Sequence, residues 1–311
     1  MEVNKIHNIN FLDNTLPDKC ANLIIADPPY FEVKGAFDFV WEDMQQYLKD
    51  CVKWVTECKR LLADNGTLFW YGYAKNIAYS QVILDEYFEF LNFITWVKKD
   101  GMQYQYYSVD TARMFTPNNE RLLMYENKYN KEDNPFAKYL KTQIEANKIK
   151  LGEIQILYPS KTGGLTGCVS NWIKGDNVMT EEQYLKLQET FTNCFTADYK
   201  SLFMDFENWR RPFYNHLKLS DCMEFSQEGH ITKQYDHETK KPETLTRALI
   251  QICSRPNDLV VVPFAGSGTE CAMAVKEGRK TIGFELTEKH AKMSNDRVQN
   301  ILRQPSLFVG S

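Results

Sequence analysis

The sequence predicts a doubly wound α/β sheet, largely parallel, with helices on both faces and a mostly helical insertion. Two observations carry this. Short apolar runs suited to buried strands alternate with helical stretches over the first 127 residues, and again from about residue 229. Between Asn127 and Glu228 that alternation stops. Lys, Glu, Gln and Asn dominate there, with helical runs at Lys138–Lys150 and Glu181–Phe195. The expected division is 1–127, 128–228 and 229–311.

Each element has its own signal. Leu23-Ile24-Ile25-Ala26 is a short apolar run that ends at Asp27-Pro28-Pro29-Tyr30, and reads as a buried parallel strand entering a loop. Asp43 to Leu62 has helical periodicity through Met44, Tyr47, Leu48, Cys51, Val55, Cys58 and Leu61, and Asp43 with Gln46 makes a variant capping box. Gly66 precedes a strand at Thr67–Tyr71. A helix near Ile77–Tyr87 follows, then strands at Phe93–Val97 and Arg121–Tyr125. After the insertion come a helix at Thr244–Cys253, a strand at Leu259–Val262 and a helix at Gly268–Glu277. A strand at Lys280–Phe284 and a helix at Glu288–Leu302 complete the pattern.

Composition sets limits. The 311 residues are 43% hydrophobic and 25% charged, the balance of an ordinary globular chain with a sizeable core. The formal net charge of −4 does not announce a nucleic-acid binder, so a chain of this charge that bound DNA would have to gather Lys and Arg on one face. Aromatics at 14% suit a core, and also base stacking. No two of the eight cysteines have C-x-x-C spacing and the five histidines do not cluster with them, so no metal site is expected. The start, Met1-Glu2-Val3-Asn4-Lys5, has no signal-peptide core, and no apolar run is long enough to span a bilayer. A reducing, cytoplasmic setting without membrane attachment is the expectation.

Three constellations carry chemistry. In Asp27-Pro28-Pro29-Tyr30 the prolines fix the backbone and remove two N–H donors, which leaves carbonyls free to accept. The Asp27 carboxylate and the Pro28 carbonyl could accept both hydrogens of an exocyclic amine, while Tyr30 stacks on its base. D-P-P is also good turn chemistry, and alone the tetrapeptide admits both readings. Val262-Pro263-Phe264-Ala265-Gly266-Ser267-Gly268-Thr269 joins a strand to a helix. Its glycines allow close backbone approach, and the helix start offers free N–H groups. The next strand ends in Gly283-Phe284-Glu285, where an acid grips a ribose diol in βαβ nucleoside sites. The spacing and the missing third glycine fit an adenosyl ligand better than NAD. Finally, His237-Glu238-Thr239-Lys240-Lys241-Pro242 leads into that half. It reads as a solvated turn or as a lysine fixed to hold a carboxylate.

Taken together and in this order, these motifs resemble the β class of DNA amino-methyltransferases, the D-P-P-Y type. Leu61–Tyr71 and Glu120-Arg121-Leu122-Leu123 resemble further blocks of the family, and the likeness covers about 1–127 and 229–300. The resemblance implies a seven-stranded, mostly parallel Rossmann-like methyltransferase sheet in circularly permuted motif order. It implies S-adenosylmethionine as cofactor and site-specific adenine-N6 methylation of double-stranded DNA by base flipping and direct transfer. Asp27, Pro28, Pro29 and Tyr30 would be catalytic. Phe264, Gly266, Ser267, Gly268 and Thr269 would line the cofactor, Glu285 its ribose, and Lys241 with Pro242 its methionine carboxylate. Phe31 and Trp41 are candidates to receive the flipped base, or are core.

The sequence departs from the family at one point. Val262 stands where the family usually has an acid before Pro-Phe, one that helps hold the methionine amino end. Cofactor binding is then weaker, a residue elsewhere substitutes, or the domain is inactive; substitution is the reading adopted, because every other site position is present.

In the family the insertion reads the DNA target. Gly164–Gly175 reads as a short helix with small polar residues at its start and a glycine stop, and Thr180 with Gln183 makes a capping box for the next helix. The layout resembles the recognition half of a helix-turn-helix. Ser170 and Asn171 would face base edges and Lys174 a phosphate, with Arg210 and Arg211 as further phosphate contacts. A helical hairpin packed on Trp172 is the structural alternative, and a surface charge pair is the alternative for Arg210 and Arg211. A homodimer and a restriction endonuclease acting on the same site are partners the resemblance suggests, in a prokaryotic or phage setting. Cytosine-N4 methylation, RNA as substrate, and a non-catalytic DNA-binding protein are the alternatives. Asp27 weighs against the first, the helical insertion against the second, and Val262 is the best support for the third.

Overall fold

A computed structural model describes residues 1–33, 40–99, 113, 115, 117–128, 131–160, 164, 166–226 and 241–303. Of the sequence features above, Leu165 and the stretch 237–240 lie outside these. The described residues fall into two compact units, Met1–Lys128 with Pro212–Ser311, and Tyr129–Arg211.

The larger unit is built on one sheet. Its strands are β1 (Lys5–His7), β2 (Ala21–Ala26), β3 (Leu62–Gly72), β4 (Glu89–Lys98), β5 (Asn119–Glu126), β6 (Cys222–Phe225), β7 (Leu259–Val262) and β8 (Lys280–Phe284), in the spatial order β1-β8-β7-β2-β3-β5-β4-β6. Only β5 runs against both neighbours; the other pairings are parallel. The mixed, mostly parallel sheet is the one expected, with eight strands where seven were expected. The edge strands β1 and β6 are three and four residues long, too short to show a period in sequence. Because β6 pairs with β4, residues 212–226 belong with the sheet, and the compact helical unit runs to Arg211, where the sequence suggested an insertion to 228.

Period-two alternation sorts side chains to the two faces. Leu23, Ile25, Phe69, Tyr71, Leu122, Met124, Val260 and Val262 face α8 (Glu243–Cys253), α9 (Thr269–Lys276) and α10 (Glu288–Arg303). Ile24, Ala26, Leu68, Trp70, Leu123, Tyr125 and Val261 face α1 (Met44–Leu61) and α2 (Ile77–Tyr87). Helix α1 forms because Asp43 caps it, its carboxylate accepting from Gln46 N–H at 2.8 Å, and because Tyr47, Cys51, Trp54, Val55, Cys58 and Leu61 recur on one side and are buried. Each such large apolar side chain withdrawn from water contributes ~1.5–3 kcal/mol. Lys59 and Arg60 in its last turn suit the negative end of the helix dipole.

The smaller unit contains α3 (Pro135–Ala146), α4 (Leu151–Leu157), α5 (Cys168–Lys174), α6 (Glu181–Thr190) and α7 (Tyr199–Trp209) around a core of their own, with Phe136, Leu140, Trp172, Tyr184 and Leu202 among its members. Asn134 caps α3 with Pro135 in the first turn, its side chain accepting from Phe136 and Ala137 N–H. The reciprocal Thr180–Gln183 capping box at α6 is present. Gly175 ends α5 at φ 81°, the left-handed stop expected of a glycine there.

Candidate active site

Open α/β sheets bind ligands beyond the carboxyl ends of two neighbouring strands whose following helices go to opposite faces. Here those strands are β2 and β7. They are hydrogen-bonded neighbours and parallel; β2 is followed by α1 on one face and β7 by α9 on the other. Asp27–Tyr30 leaves β2 at this edge, Pro263–Gly268 leaves β7, and Glu285 follows β8 beside it. The sheet topology therefore brings Asp27–Tyr30 beside the glycine loop and Glu285, which lie more than 230 residues further along the sequence.

The tetrapeptide is tightly held. The Tyr30 hydroxyl donates to Asp27 Oδ1, and Tyr47 Oη donates to the Pro29 carbonyl at 3.0 Å. Asn76, which is buried, donates to the carbonyls of Tyr30 and Phe31. Phe31 and Glu32 take positive φ values of 50° and 52°, a region costly for side chains other than glycine. The Asn76 bonds offset that cost and fix the exit of the loop. Among the described residues, no donor reaches the Pro28 carbonyl.

Lys241 lies at the centre. Its side chain is 5% exposed, and its ammonium reaches Asp27 Oδ2, Glu120 Oε2 and the Tyr30 hydroxyl, each at 3.0 Å. Glu120 also pairs with Lys98 at 2.8 Å. The ammonium further lies over the rings of Tyr71 and Tyr30, 4.8 and 5.3 Å from their centroids. Burial opposes charge on Lys241, but Asp27 and Glu120 outweigh it and raise its pKa. Burial likewise pushes Glu120 up, and Lys241 and Lys98 overcome it to hold its carboxyl at about 2. Burial, and next the Asp27 charge, raise Tyr30 well above its usual value, so it stays a phenol and donates. The sequence reading offered Lys241 to a cofactor carboxylate; in the structure its three donors hold Asp27, Tyr30 and Glu120.

The glycine loop is equally ordered. Gly266 and Gly268 have φ of 46° and 71°. Gly266 N–H donates to Glu285 Oε2 at 2.9 Å, and Thr287 N–H to Oε1 at 2.8 Å. A carboxylate has about four acceptor sites, so Glu285 retains capacity for a diol. Ser294 Oγ donates to the Gly266 carbonyl, and Arg297 donates to the Ser267 carbonyl and Thr269 Oγ1 while pairing with Glu243. A β-carbon on Gly268 would lie 2.6 Å from Ser294 Cβ. With the positive φ added, Gly268→Ala is expected to destabilise the protein by about 1–3 kcal/mol, read as a lower midpoint in urea.

Other expected residues sit elsewhere. Phe31 is buried and stacks on Tyr47 at 5.6 Å, and Trp41 meets Tyr47 edge-on while its Nε1 donates to Asp50; both belong to an aromatic cluster with Trp54 and Phe264. In the smaller unit, α5 buries Val169 and Trp172 and exposes Asn171 and Lys174, with Ser170 half-buried between. Arg210 makes a two-pronged pair with Glu207, at 2.6 and 2.8 Å. Asn76, Lys98, Glu120 and Tyr71 were assigned no part by the sequence reading, because nothing local marks a residue whose partner lies on a distant strand.

Comparison with known proteins agrees with this geometry. The sequence profile of a family described as DNA methylase matches residues 21–296. The type II methyltransferase M1.MboII of Moraxella bovis is 25% identical over 304 residues, covering 95% of this chain and 96% of its own. The DNA adenine methyltransferase YhdJ of Escherichia coli is 25% identical, covering 91% and 78%. Among solved structures, a DNA modification methylase of Thermus thermophilus, described as putative and complexed with S-adenosyl-L-methionine, superposes with a TM-score of 0.51 at 16% identity, over 96% of this chain and 95% of the other.

Proposed function

We propose, since the chain belongs to the N6/N4 DNA methylase family, that it transfers a methyl group from S-adenosylmethionine to the N6 amine of adenine in double-stranded DNA. One observation carries this reading: the Asp27 carboxylate is held by Lys241 and Tyr30 at the switch point of the sheet, where the neighbouring strand ends in the glycine loop.

The residues fit the cofactor. Gly266, Ser267, Gly268 and Thr269 form its backbone cradle at the start of α9, with Phe264 beside them. Glu285 receives the ribose diol. Bound S-adenosylmethionine supplies a methyl group that is already electrophilic. The chain's own work is therefore alignment, which can be worth roughly 7–11 kcal/mol. The Asp27 carboxylate and the Pro28 carbonyl accept the two amine hydrogens and turn the nitrogen lone pair towards the methyl. Transfer would exchange the methyl–sulfur bond for a methyl–nitrogen bond and leave a neutral thioether, and the Asp27 carboxylate would accept the proton that the amine loses. Tyr30 presents its ring to the base, and its phenol keeps Asp27 oriented. Lys241 acts as a positioning residue for Asp27. Flipping the adenine out of the duplex costs a few kcal/mol. Asp at position 27 and the adenine-specific name of the Escherichia coli relative both support adenine as the target.

Helix α5 is the proposed reader of the DNA sequence, with Ser170 and Asn171 on base edges and Lys174 on phosphate; Arg211 adds a second phosphate contact, and Arg210 does so only by leaving Glu207. Ser170→Ala with Asn171→Ala is expected to flatten the preference among DNA sites by about 1–3 kcal/mol per lost base contact while cofactor affinity stays constant. Methylation rates on a library of duplexes provide the test, and an unchanged preference rejects this role for α5. A restriction endonuclease cutting the same site is the expected partner, as the type II name of the Moraxella relative supports. Single-molecule sequencing of DNA from a methylation-free host expressing the chain tests the whole reading. N6-methyladenine at one recurring sequence is expected, and unmodified DNA alongside folded protein would reject it.

A further inference from the structure

Glu270 is the second residue of α9, directly behind the glycine loop. It is 5% exposed, and its Oε1 is buried with no hydrogen-bond partner. Native interiors carry few such orphans, and a carboxylate is among the costliest. The nearby cations do not satisfy that oxygen. Lys241 gives its donors to Asp27, Glu120 and Tyr30, and Arg297 is engaged with Glu243, Ser267 and Thr269. The Tyr71 hydroxyl, which feels the Glu270 charge, is also buried without a partner.

The charge count shows what is missing. Around this cluster stand four carboxylates, Asp27, Glu120, Glu243 and Glu270, against three cations, Lys98, Lys241 and Arg297. One negative charge is in excess. The methionine end of S-adenosylmethionine carries an ammonium, a sulfonium and a carboxylate, a net single positive charge. Val262, the residue at the end of β7, is 1% exposed in the core and offers a cation nothing.

The geometry points to Glu270 as the residue that binds the α-ammonium group of S-adenosylmethionine, with the Tyr71 hydroxyl as a second polar contact; the assignment rests on the cofactor reading above. A helix N-terminus favours the carboxylate form at this position. Burial, and next the Asp27 charge, raise the Glu270 carboxyl to about 7, so the ligand-free protein holds it partly protonated at neutral pH. The groups facing it are Asp27 after β2, Tyr71 on β3, Lys241 before α8, its neighbour Cys271, and Arg297 on α10. Tyr71, Lys241 and Cys271 are all displaced upward and keep their protons there. An ammonium bound to Glu270 favours its ionised form, so cofactor binding strengthens as pH rises through about 7 and releases a proton. Without ligand the sign reverses. A raised carboxyl adds stability below its unfolded value of 4.5, and that stability is lost as pH climbs to about 7.

Calorimetry of the full chain with S-adenosylmethionine, and with methylthioadenosine, which lacks the amino-acid end, tests the assignment. Glu270→Gln is expected to weaken S-adenosylmethionine by about 10- to 100-fold and leave methylthioadenosine unchanged. It should also remove the stability loss between pH 4.5 and about 7 in the ligand-free protein. Equal S-adenosylmethionine affinity in variant and wild type overturns the assignment and leaves the proposed function standing. Parallel loss of both ligands overturns it too, since Glu270 would then only shape the site. A wild type that binds methylthioadenosine but shows no pH dependence of S-adenosylmethionine affinity around 7 overturns it without any variant. A wild type that binds neither ligand overturns the proposed function itself.

Discussion

Asp27→Ala is expected to lower methyl transfer about 100- to 1000-fold or more while S-adenosylmethionine affinity stays nearly constant. The variant should fold. Lys241 keeps Glu120, Glu120 keeps Lys98, and the Pro29, Tyr30 and Phe31 carbonyls keep their bonds from Tyr47 and Asn76. What disappears is the proposed acceptor for one amine hydrogen and its proton, the group that Tyr30 and Lys241 hold in place. Single-turnover transfer to duplex DNA, set beside calorimetry with the cofactor, checks both halves. A collapse of cofactor binding, with transfer restored at saturating S-adenosylmethionine, would mean that Asp27 serves the cofactor and not the base.

Lys241→Met is expected to cost about 3–5 kcal/mol of stability, the usual penalty for breaking a buried ion pair by removing one partner. Met matches the volume of the side chain but leaves Asp27 with Tyr30 alone and Glu120 with Lys98 alone. Adding Asp27→Asn should recover part of the loss, because Asp27 is the carboxylate left without a cation. The acid limb gives an independent check. Glu120 is held at about 2, below its usual 4.5, so its contribution is complete above pH 4.5 and is lost as pH falls towards 2. In Lys241→Met that dependence should weaken, and urea midpoints across pH would show it. Transfer should fall as well, because Asp27 loses its fixed partner.

Much of the fold could be read before the structure, and for a physical reason. Strands such as Leu23–Ala26 and Leu259–Val262 are buried on both faces, so their apolar runs are unmistakable. Helix α1 announces itself through Asp43 and its recurring buried stripe. The edge strands β1 and β6 could not be read, because their pairing comes from β8 and β4 and not from any period of their own. Helix α7 was missed although Asp198 caps it, since its aromatic residues also suit a strand.

The candidate site divides in the same way. Loops with local chemistry, Asp27–Tyr30 and Gly266–Gly268, were visible in the sequence. Asn76 and Glu270 were not, and Glu120 was seen only within a family block and without a role, because each matters through a residue far away in the chain: the Tyr30 carbonyl, Asp27 and Lys241 respectively. Lys241 was singled out as a residue of the site, but spacing could not show that its ammonium faces Asp27. The departure at Val262 raised a question in the sequence, and the proposed role of Glu270, whose Oε1 has no hydrogen-bond partner, rests on the packing of α9.

The central claim is that the Asp27 loop methylates the N6 amine of adenine. Nucleoside mass spectrometry of duplex DNA incubated with the purified chain and S-adenosylmethionine tests it most directly. N6-methyladenine should accumulate with the wild type and be absent with Asp27→Ala; N4-methylcytosine, or no modified base from a folded protein that binds the cofactor, would contradict it.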